Sequence, residues 1–393
     1  MAARGTVQPA RLVAAVIVWA TTAACSSDPS SLARGGTARF DAGALRTDAS
    51  VAGGRQTDAS IAGSGAGDAS RVIEQTVASL AVSPTHSCAL RKAGVYCWGE
   101  NFAGQLGNGE KTTSEVPVQA SVVGQDVAEL VAATGRTCIR TSKGKVACWG
   151  ANDHGQIGDG TRTDTLTPVE ALGIDDAIAL ALDDESTCVI RKAGRTVACW
   201  GGEAEESWVP QTIEGLSNVL ELRAGTAGSY CARDTSDTVW CWQSGNGAWA
   251  APRQVEALAG AKAVAVAGFD EVCALVKAGN IICNSSDTGR SVALDDSNDV
   301  VTLNAAGSLA VCGHKSDGRW YCWNVLRQML EEVGSPAIAI PTDQPLSELV
   351  LSGFRVCALR ADKQVACANA NDVLLGLNAV DTSALKVVEG LPD

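Results

Sequence analysis

The stretch Cys138-Ile-Arg-Thr-Ser-Lys-Gly-Lys-Val-Ala-Cys148-Trp149 decides the fold. Its two halves read as strands around Ser142-Lys143-Gly144, where the glycine supplies the positive φ that a three-residue hairpin turn needs. The two cysteines then face one another. In a non-hydrogen-bonded antiparallel pair the Cα atoms lie about 4.5 Å apart, within disulfide range. The unit recurs along the chain. With Cys25 set aside, the other fourteen cysteines form seven pairs: Cys88/Cys97, Cys138/Cys148, Cys188/Cys199, Cys231/Cys241, Cys273/Cys283, Cys312/Cys322 and Cys357/Cys367. Cysteines within a pair are 9 to 11 residues apart, and successive pairs are 39 to 50 apart. That period belongs to propellers and solenoids.

Working outward, an alternating apolar stretch precedes each pair, for example 127–132, 177–182 and 219–224. Small residues such as Ala133, Gly225 and Gly268 close these stretches, as suits strands converging on a crowded axis. Trp follows the second cysteine five times, as Trp98, Trp149, Trp200, Trp242 and Trp323, with Asn284 and Ala368 in the other two repeats. A ring at one fixed position per repeat is expected to pack between neighbouring units. Zinc would call for CxxC knuckles or interspersed histidines, and the chain has only His86, His154 and His314. Free buried thiols would not need fixed spacing. Seven hairpin disulfides are therefore expected, one per repeat, in an all-β fold.

The segments Cys97-Trp-Gly-Glu-Asn-Phe-Ala-Gly-Gln-Leu-Gly-Asn-Gly109 and Cys148-Trp-Gly-Ala-Asn-Asp-His-Gly-Gln-Ile-Gly-Asp-Gly160 resemble the repeat of the regulator-of-chromosome-condensation family. The resemblance implies a seven-bladed β-propeller over residues 72–393. The Gly-Gln-Leu-Gly element is strong in the first two repeats only and gives way to Gly201-Gly-Glu-Ala-Glu-Glu206, Gln243-Ser-Gly-Asn246 and Asn284-Ser-Ser-Asp287. The family's eukaryotic founder exchanges nucleotide on a small GTPase and touches chromatin, while related secreted propellers bind proteins through their loop face. None of the founder's active residues maps onto these repeats.

The first 24 residues read as a signal peptide: Arg4 and Arg11 lead an apolar run from Leu12 to Ala24, too short to span a bilayer as a mature helix. The run ends in Thr22-Ala23-Ala24-Cys25, which resembles a bacterial lipobox with Cys25 as the lipidated residue, although Thr22 stands where that motif prefers an aliphatic side chain. Plain cleavage that leaves a free Cys25 is the alternative. Ser26 after the cysteine favours the outer membrane or cell surface. Residues 25–71 carry Ala, Gly, Ser, Asp and Arg with Asp-Ala-Ser recurring at Asp48, Asp58 and Asp68, a composition that cannot bury enough apolar surface to order itself. A disordered linker with a reach on the order of 40 Å is expected.

The net charge of −13 and pI of about 4.8 argue against nucleic acid as a partner. No Ser-His-Asp order is compelling. Ser285-Ser-Asp-Thr-Gly-Arg-Ser-Val292 fits an Asp-box turn, which is itself structural. The acidic clusters at 183–185, 203–206, 295–296 and 331–332 are expected to be solvated loop charge. His86 is expected to be structural, and His154 and His314 to face solvent. The expectation is therefore a non-enzymatic, monomeric binding propeller without metal or cofactor. It engages a protein or a glycan at the cell envelope and meets the membrane only through its lipid anchor. Trp208 and Trp249, which lie outside the repeated Trp position, are the candidate binding residues. A sialidase-like glycan hydrolase and a guanine-nucleotide-exchange regulator are the alternatives.

Overall fold

The computed structural model describes residues 80–122, 126–202, 205–226, 228–245, 248–267, 271–277, 279–306, 310–325, 337–340, 345–352, 355–369 and 385–392. These lie within the compact unit Ala69–Asp393. The expected signal peptide, Cys25 anchor and linker fall outside the described residues.

The repeat folds as expected into seven four-stranded antiparallel blades. Blade 1 comprises Leu80–Val82, His86–Arg91, Gly94–Gly99 and Ser114–Gln119, and blade 2 comprises Val127–Ala133, Arg136–Thr141, Val146–Gly150 and Thr165–Glu170. Blades 3 to 7 begin with the inner strands Ala177–Leu182, Val219–Ala224, Ala263–Ala267, Val300–Ala306 and Leu346–Ser352. One parallel bridge, Ala306 with Leu351, joins the inner strands of blades 6 and 7. Blade 4 departs from the pattern: its third strand, Val239–Gly245, runs past the sheet and turns back through Ala248–Trp249.

In every blade the two cysteines occupy directly paired positions of the second and third strands, with Cα atoms 3.9 to 4.1 Å apart, and form a disulfide. The staple projects from one face of its sheet toward the next blade. There the tryptophan of that blade shares its apolar cluster: Cys88 and Cys97 lie with Trp149, Cys138 and Cys148 with Trp200, Cys188 and Cys199 with Trp242, and Cys273 and Cys283 with Trp323. The cores are thus between blades, as the repeated Trp implied. An enclosed indole removes about 150–250 Å² from water, a gross gain of roughly 4–6 kcal/mol per junction.

The ring closes on side chains. Leu80, Val82, Ala89 and Trp98 of blade 1 pack with Cys357, Leu359 and Val365 of blade 7, and Arg91 Nη2 donates to Lys363 O at 3.2 Å. Blade 7 is completed by Lys386–Val387, so its outer strand comes from the same repeat. Closure packs the first blade against the last. Pro117 and Pro168 stand in the outer strands of blades 1 and 2, where a missing N–H blunts an exposed edge.

Three inner strands carry a glutamate at the equivalent position, Glu129 in blade 2, Glu221 in blade 4 and Glu348 in blade 7, and in the first two it meets an arginine of the second strand. Glu129 accepts from Arg140 Nε at 2.8 Å, and Glu221, at the equivalent position of blade 4, accepts from Arg233 Nε at 3.1 Å. Burial raises the Glu129 carboxyl above its ordinary range, against the opposing pull of Arg140.

Candidate binding face

Antiparallel order sends the first-to-second and third-to-fourth strand connections to one face of each blade, and the second-to-third hairpin turns to the other. The loops that resemble the family repeat, 100–113 and 151–164, therefore sit on the first face. The repeated Asn and Gln side chains of these loops are turned into the fold. Asn101 Nδ2 donates to Glu110 O (2.9 Å) and Thr112 O (3.1 Å) while its Oδ1 accepts from Leu106 N (3.0 Å); Asn152 repeats this with Thr161 O, Thr163 O and Ile157 N. Gln105 and Gln156 fold their side-chain oxygens back onto Ala103 N and His154 N.

The backbone carbonyl of each of these glutamines reaches the next blade. Gln105 O accepts from Trp149 Nε1 (2.9 Å) and Thr137 Oγ1 (2.9 Å), and Gln156 O accepts from Trp200 Nε1 (3.0 Å) and Thr187 Oγ1 (2.9 Å). The indole is seated against the second glycine of the motif, since a Cβ on Gly107 or Gly158 would stand 2.5 Å from the Trp149 or Trp200 nitrogen. The motif is thus a latch between blades. Where it degenerates, the partner changes: Trp323 Nε1 donates to Asp295 O at 2.7 Å.

A second line of contacts starts two residues before each first cysteine. His86 is fully buried, with Nδ1 2.9 Å from Ser83 Oγ and Nε2 2.7 Å from Thr137 Oγ1. Because Thr137 gives its proton to Gln105 O, His86 Nε2–H is the donor and the imidazole is neutral. Burial, reinforced by the Arg355 charge, lowers its pKa to about 3. This is the structural role expected of it. Arg136, the equivalent residue of blade 2, is also fully buried and donates from Nη2 to Asp183 O (2.8 Å) and Ser186 O (2.7 Å). Ser186 Oγ donates to Asp183 Oδ1 (2.8 Å) and accepts from Tyr230 O–H (3.0 Å). Tyr230 in turn stacks on Trp242 and meets Trp249 edge-on, each with ring centroids 5.9 Å apart. Burial raises the Asp183 carboxyl and the Tyr230 phenol and lowers the Arg136 guanidinium. The expectation of solvated charge at 183–185 is thus corrected: Asp183 is a buried cap for Glu185 N and Ser186 N, and only Asp184 and Glu185 are exposed.

Both candidate tryptophans are half-buried. Trp208 lies against Gly155 of blade 2 with the Arg162 guanidinium 5.3 Å from its ring centroid. Trp249 packs on the junction of blades 3 and 4 through Tyr230. His154 and His314 are half-buried too, rather than solvent-facing, and His314 lies 5.4 Å from the Trp320 ring. Asp295 and Asp296 are exposed. The Ser285–Val292 turn links the third and fourth strands of blade 5, with Ser285 N donating to Arg290 O.

What remains open on this face are side chains that the latches do not use. Phe102 is 56% exposed, its ring edge over Gly135, and sits between the buried Asn101 and Ala103. Asp153 is exposed at the matching position of blade 2, Glu100 is exposed at the start of the blade 1 loop, and Asp184 and Glu185 are exposed in the connection between the first two strands of blade 3. Sequence reasoning passed over this pattern, although the signal was present: Phe102 and Asp153 differ inside an otherwise repeated Asn-x-x-Gly-Gln. Among the described residues no group of three His, Cys, Asp or Glu side chains is placed to hold a metal ion. No helix among them is long and apolar enough to cross a membrane.

With the latches placed, comparison with known proteins becomes informative. Residues 92–138 match the Regulator of chromosome condensation (RCC1) repeat, as do 77–105 and 135–156. The likeness to this repeat thus falls on blades 1 and 2. The chain is 27% identical over 175 residues to the Ultraviolet-B receptor UVR8 of Arabidopsis thaliana, covering 41% of this chain and 40% of that protein. It is 29% identical over 178 residues to the E3 ubiquitin-protein ligase HERC2 of Mus musculus, covering 41% of this chain and 4% of that protein. The match therefore spans less than half the length of either relative. Among solved structures, yeast RCC1 (Prp20) bound to Kap60 is similar over 85% of this chain and 91% of its own, at TM-score 0.60 and 17% identity. Prp20p from Saccharomyces cerevisiae, whose binding to Gsp1p and histones has been described, gives TM-score 0.55 at 17% identity over 70% of this chain and 80% of its own. At these identities the likeness is one of fold.

Proposed function

We propose that the chain is a non-enzymatic binding propeller, held at a bacterial cell envelope by a lipid on Cys25, and that it engages a protein through the loop face of blades 1 to 3. One observation carries the reading. The repeated polar residues of that face are consumed by contacts within and between blades, while non-repeated side chains, Phe102 above all, are left exposed on the same rigid loops. Such a division between constant scaffold and variable surface is what a binding module requires. His86, the imidazole nearest a catalytic role, is enclosed and neutral, so it offers no base to a substrate. Relatives of this fold bind proteins: Kap60 sits on yeast RCC1, and Prp20p binds Gsp1p and histones.

The test is capture from envelope extract with the oxidised full chain and two variants, Phe102→Asp on the loop face and Lys143→Glu on the opposite hairpin face. A protein retained by the parent and by Lys143→Glu but lost with Phe102→Asp supports the reading. Retention indifferent to Phe102, or retention of glycan alone, overturns it. For the anchor, Cys25→Ala should move the chain from the membrane to the soluble fraction, and a variant that stays in the membrane contradicts the tether.

A further inference from the structure

The seven staples are alike in register but not in cover. In each blade the second cysteine stands directly across from one residue of the outer strand, so that the two side chains share a face of the sheet. Opposite Cys97, Cys148, Cys283 and Cys322 stand Val118, Val169, Val292 and Ile338, and opposite Cys199 in blade 3 stands the half-buried Gln211, beneath which both cysteines are fully buried. Opposite Cys241 in blade 4 stands Arg253, and opposite Cys367 in blade 7 stands Lys386, both exposed. Those two cysteines are also the half-buried ones, whereas the other twelve are buried. Blade 4 lacks a second cover as well. The tryptophan that would close over its staple belongs to blade 5, where Asn284 stands instead. Asn284 turns back into its own blade, donating to Ser291 Oγ at 2.9 Å. The Cys231–Cys241 staple thus shares its cluster with aliphatic residues, among them Leu258, Val264, Val266, Val272 and Ile282, and with no aromatic ring among the described residues.

We infer that Cys231–Cys241 is a redox-reactive site, the one staple of the propeller open to a dithiol reductant in the folded state, with Cys357–Cys367 the next most open. Thiol–disulfide exchange needs access to a sulfur and a stabilised thiolate. Cys241 is the half-buried cysteine of the pair, and its cross-strand partner Arg253 sets a cationic side chain on the same face of the sheet, which favours thiolate. A thiolate of the dithiol attacks Cys241 Sγ. The sulfur–sulfur bond breaks, and Cys231 departs with the electron pair and takes up a proton. The second thiol of the reagent then closes on the mixed disulfide, releases Cys241 as a thiolate next to Arg253, and leaves as the oxidised reagent. Two electrons pass to the protein. The five covered staples stay closed, so the ring persists while the hairpin of blade 4 loses its cross-link.

The experiment is graded reduction of the folded full chain with dithiothreitol, quenched by alkylation, with peptide mass spectrometry to follow each cysteine. Cys231 and Cys241 should be alkylated about tenfold or more faster than the pairs of blades 1, 2, 3, 5 and 6, with Cys357 and Cys367 between. Two substitutions restore cover by different routes: Arg253→Val on the exposed outer strand and Asn284→Trp at the junction. Either should slow alkylation of Cys231 and Cys241 toward the rate of the covered pairs. The inference is overturned if Cys231 and Cys241 react no faster than the covered pairs, or if all seven pairs open together. It is also overturned if the surface variant Arg253→Val leaves the blade 4 rate unchanged.

Discussion

Replacing Gly107 by alanine tests whether the 100–113 loop is a latch. Gly107 has φ +72°, and a Cβ there would stand 2.5 Å from Trp149 Nε1 and 2.8 to 2.9 Å from two further ring atoms. Trp149 is fully buried and tied to Gln105 O, so the ring has no free direction in which to move. Gly109, two residues on, has a similar φ of +87° but nothing within 4 Å of its would-be Cβ. The pair separates two effects. Gly109→Ala should carry only the left-handed backbone term, about 1 kcal/mol. Gly107→Ala should add an overpacking term of about 1–3 kcal/mol, for a total of about 2–4 kcal/mol. Denaturant unfolding followed by tryptophan fluorescence reads the difference directly. In a Trp149→Leu background the extra cost of Gly107→Ala should fall below about 0.5 kcal/mol, since the colliding atoms are gone. Equal destabilisation by the two alanines, or a cost of Gly107→Ala that ignores the identity of residue 149, would refute the latch.

Three further outcomes follow from the same contacts. His86 has its pKa near 3 in the folded chain against 6.5 free, so the unfolded state binds the proton first as pH falls. Its contribution is complete above pH 6.5 and is lost on acidification at about 1.4 kcal/mol per pH unit, about 3 kcal/mol by pH 4; stability measured against His86→Gln should show this extra slope, and parallel pH profiles would contradict it. Thr137→Val leaves both His86 Nε2 and one bond to Gln105 O unmet, whereas Thr187→Val removes a single bond to Gln156 O. Unfolding should report about 1–3 kcal/mol for Thr137→Val and about 0.5–1.5 kcal/mol for Thr187→Val. Trp98→Ala empties the seam between blades 1 and 7 and should cost about 3–5 kcal/mol, and limited proteolysis of that variant should cut first in those two blades.

The architecture was legible because its signal is periodic. Cysteine spacing alone gave the hairpins, their pairing and the repeat number, and the Trp position gave the junctions. The latches were not legible, because their acceptor is a main-chain carbonyl, Gln105 O or Gln156 O, which no side-chain pattern advertises. The His86–Thr137 contact joins residues 51 apart in sequence, yet a faint trace existed. The residue before each first cysteine is Ser87, Thr137 or Thr187 in the first three blades and Val272, Val311 or Val356 in the last three, tracking the loss of the glutamine motif. Trp208 and Trp249 stand out as candidate binding residues because they break the repeat. In the folded chain Gly155 and Tyr230 give each of them a seat. Asp183 read as solvated because its neighbours are acidic, whereas a turn of three residues buries it as a cap.

Every inference about the loop face, the latches and the open staple rests on each repeat being one self-contained blade. Peptide mapping of the unreduced full chain tests that most directly. The account predicts seven linked peptides, each joining the two cysteines of a single repeat, from Cys88 with Cys97 to Cys357 with Cys367. Any abundant link between cysteines of different repeats, or a majority of the fourteen found as free thiols in freshly purified protein, would contradict it.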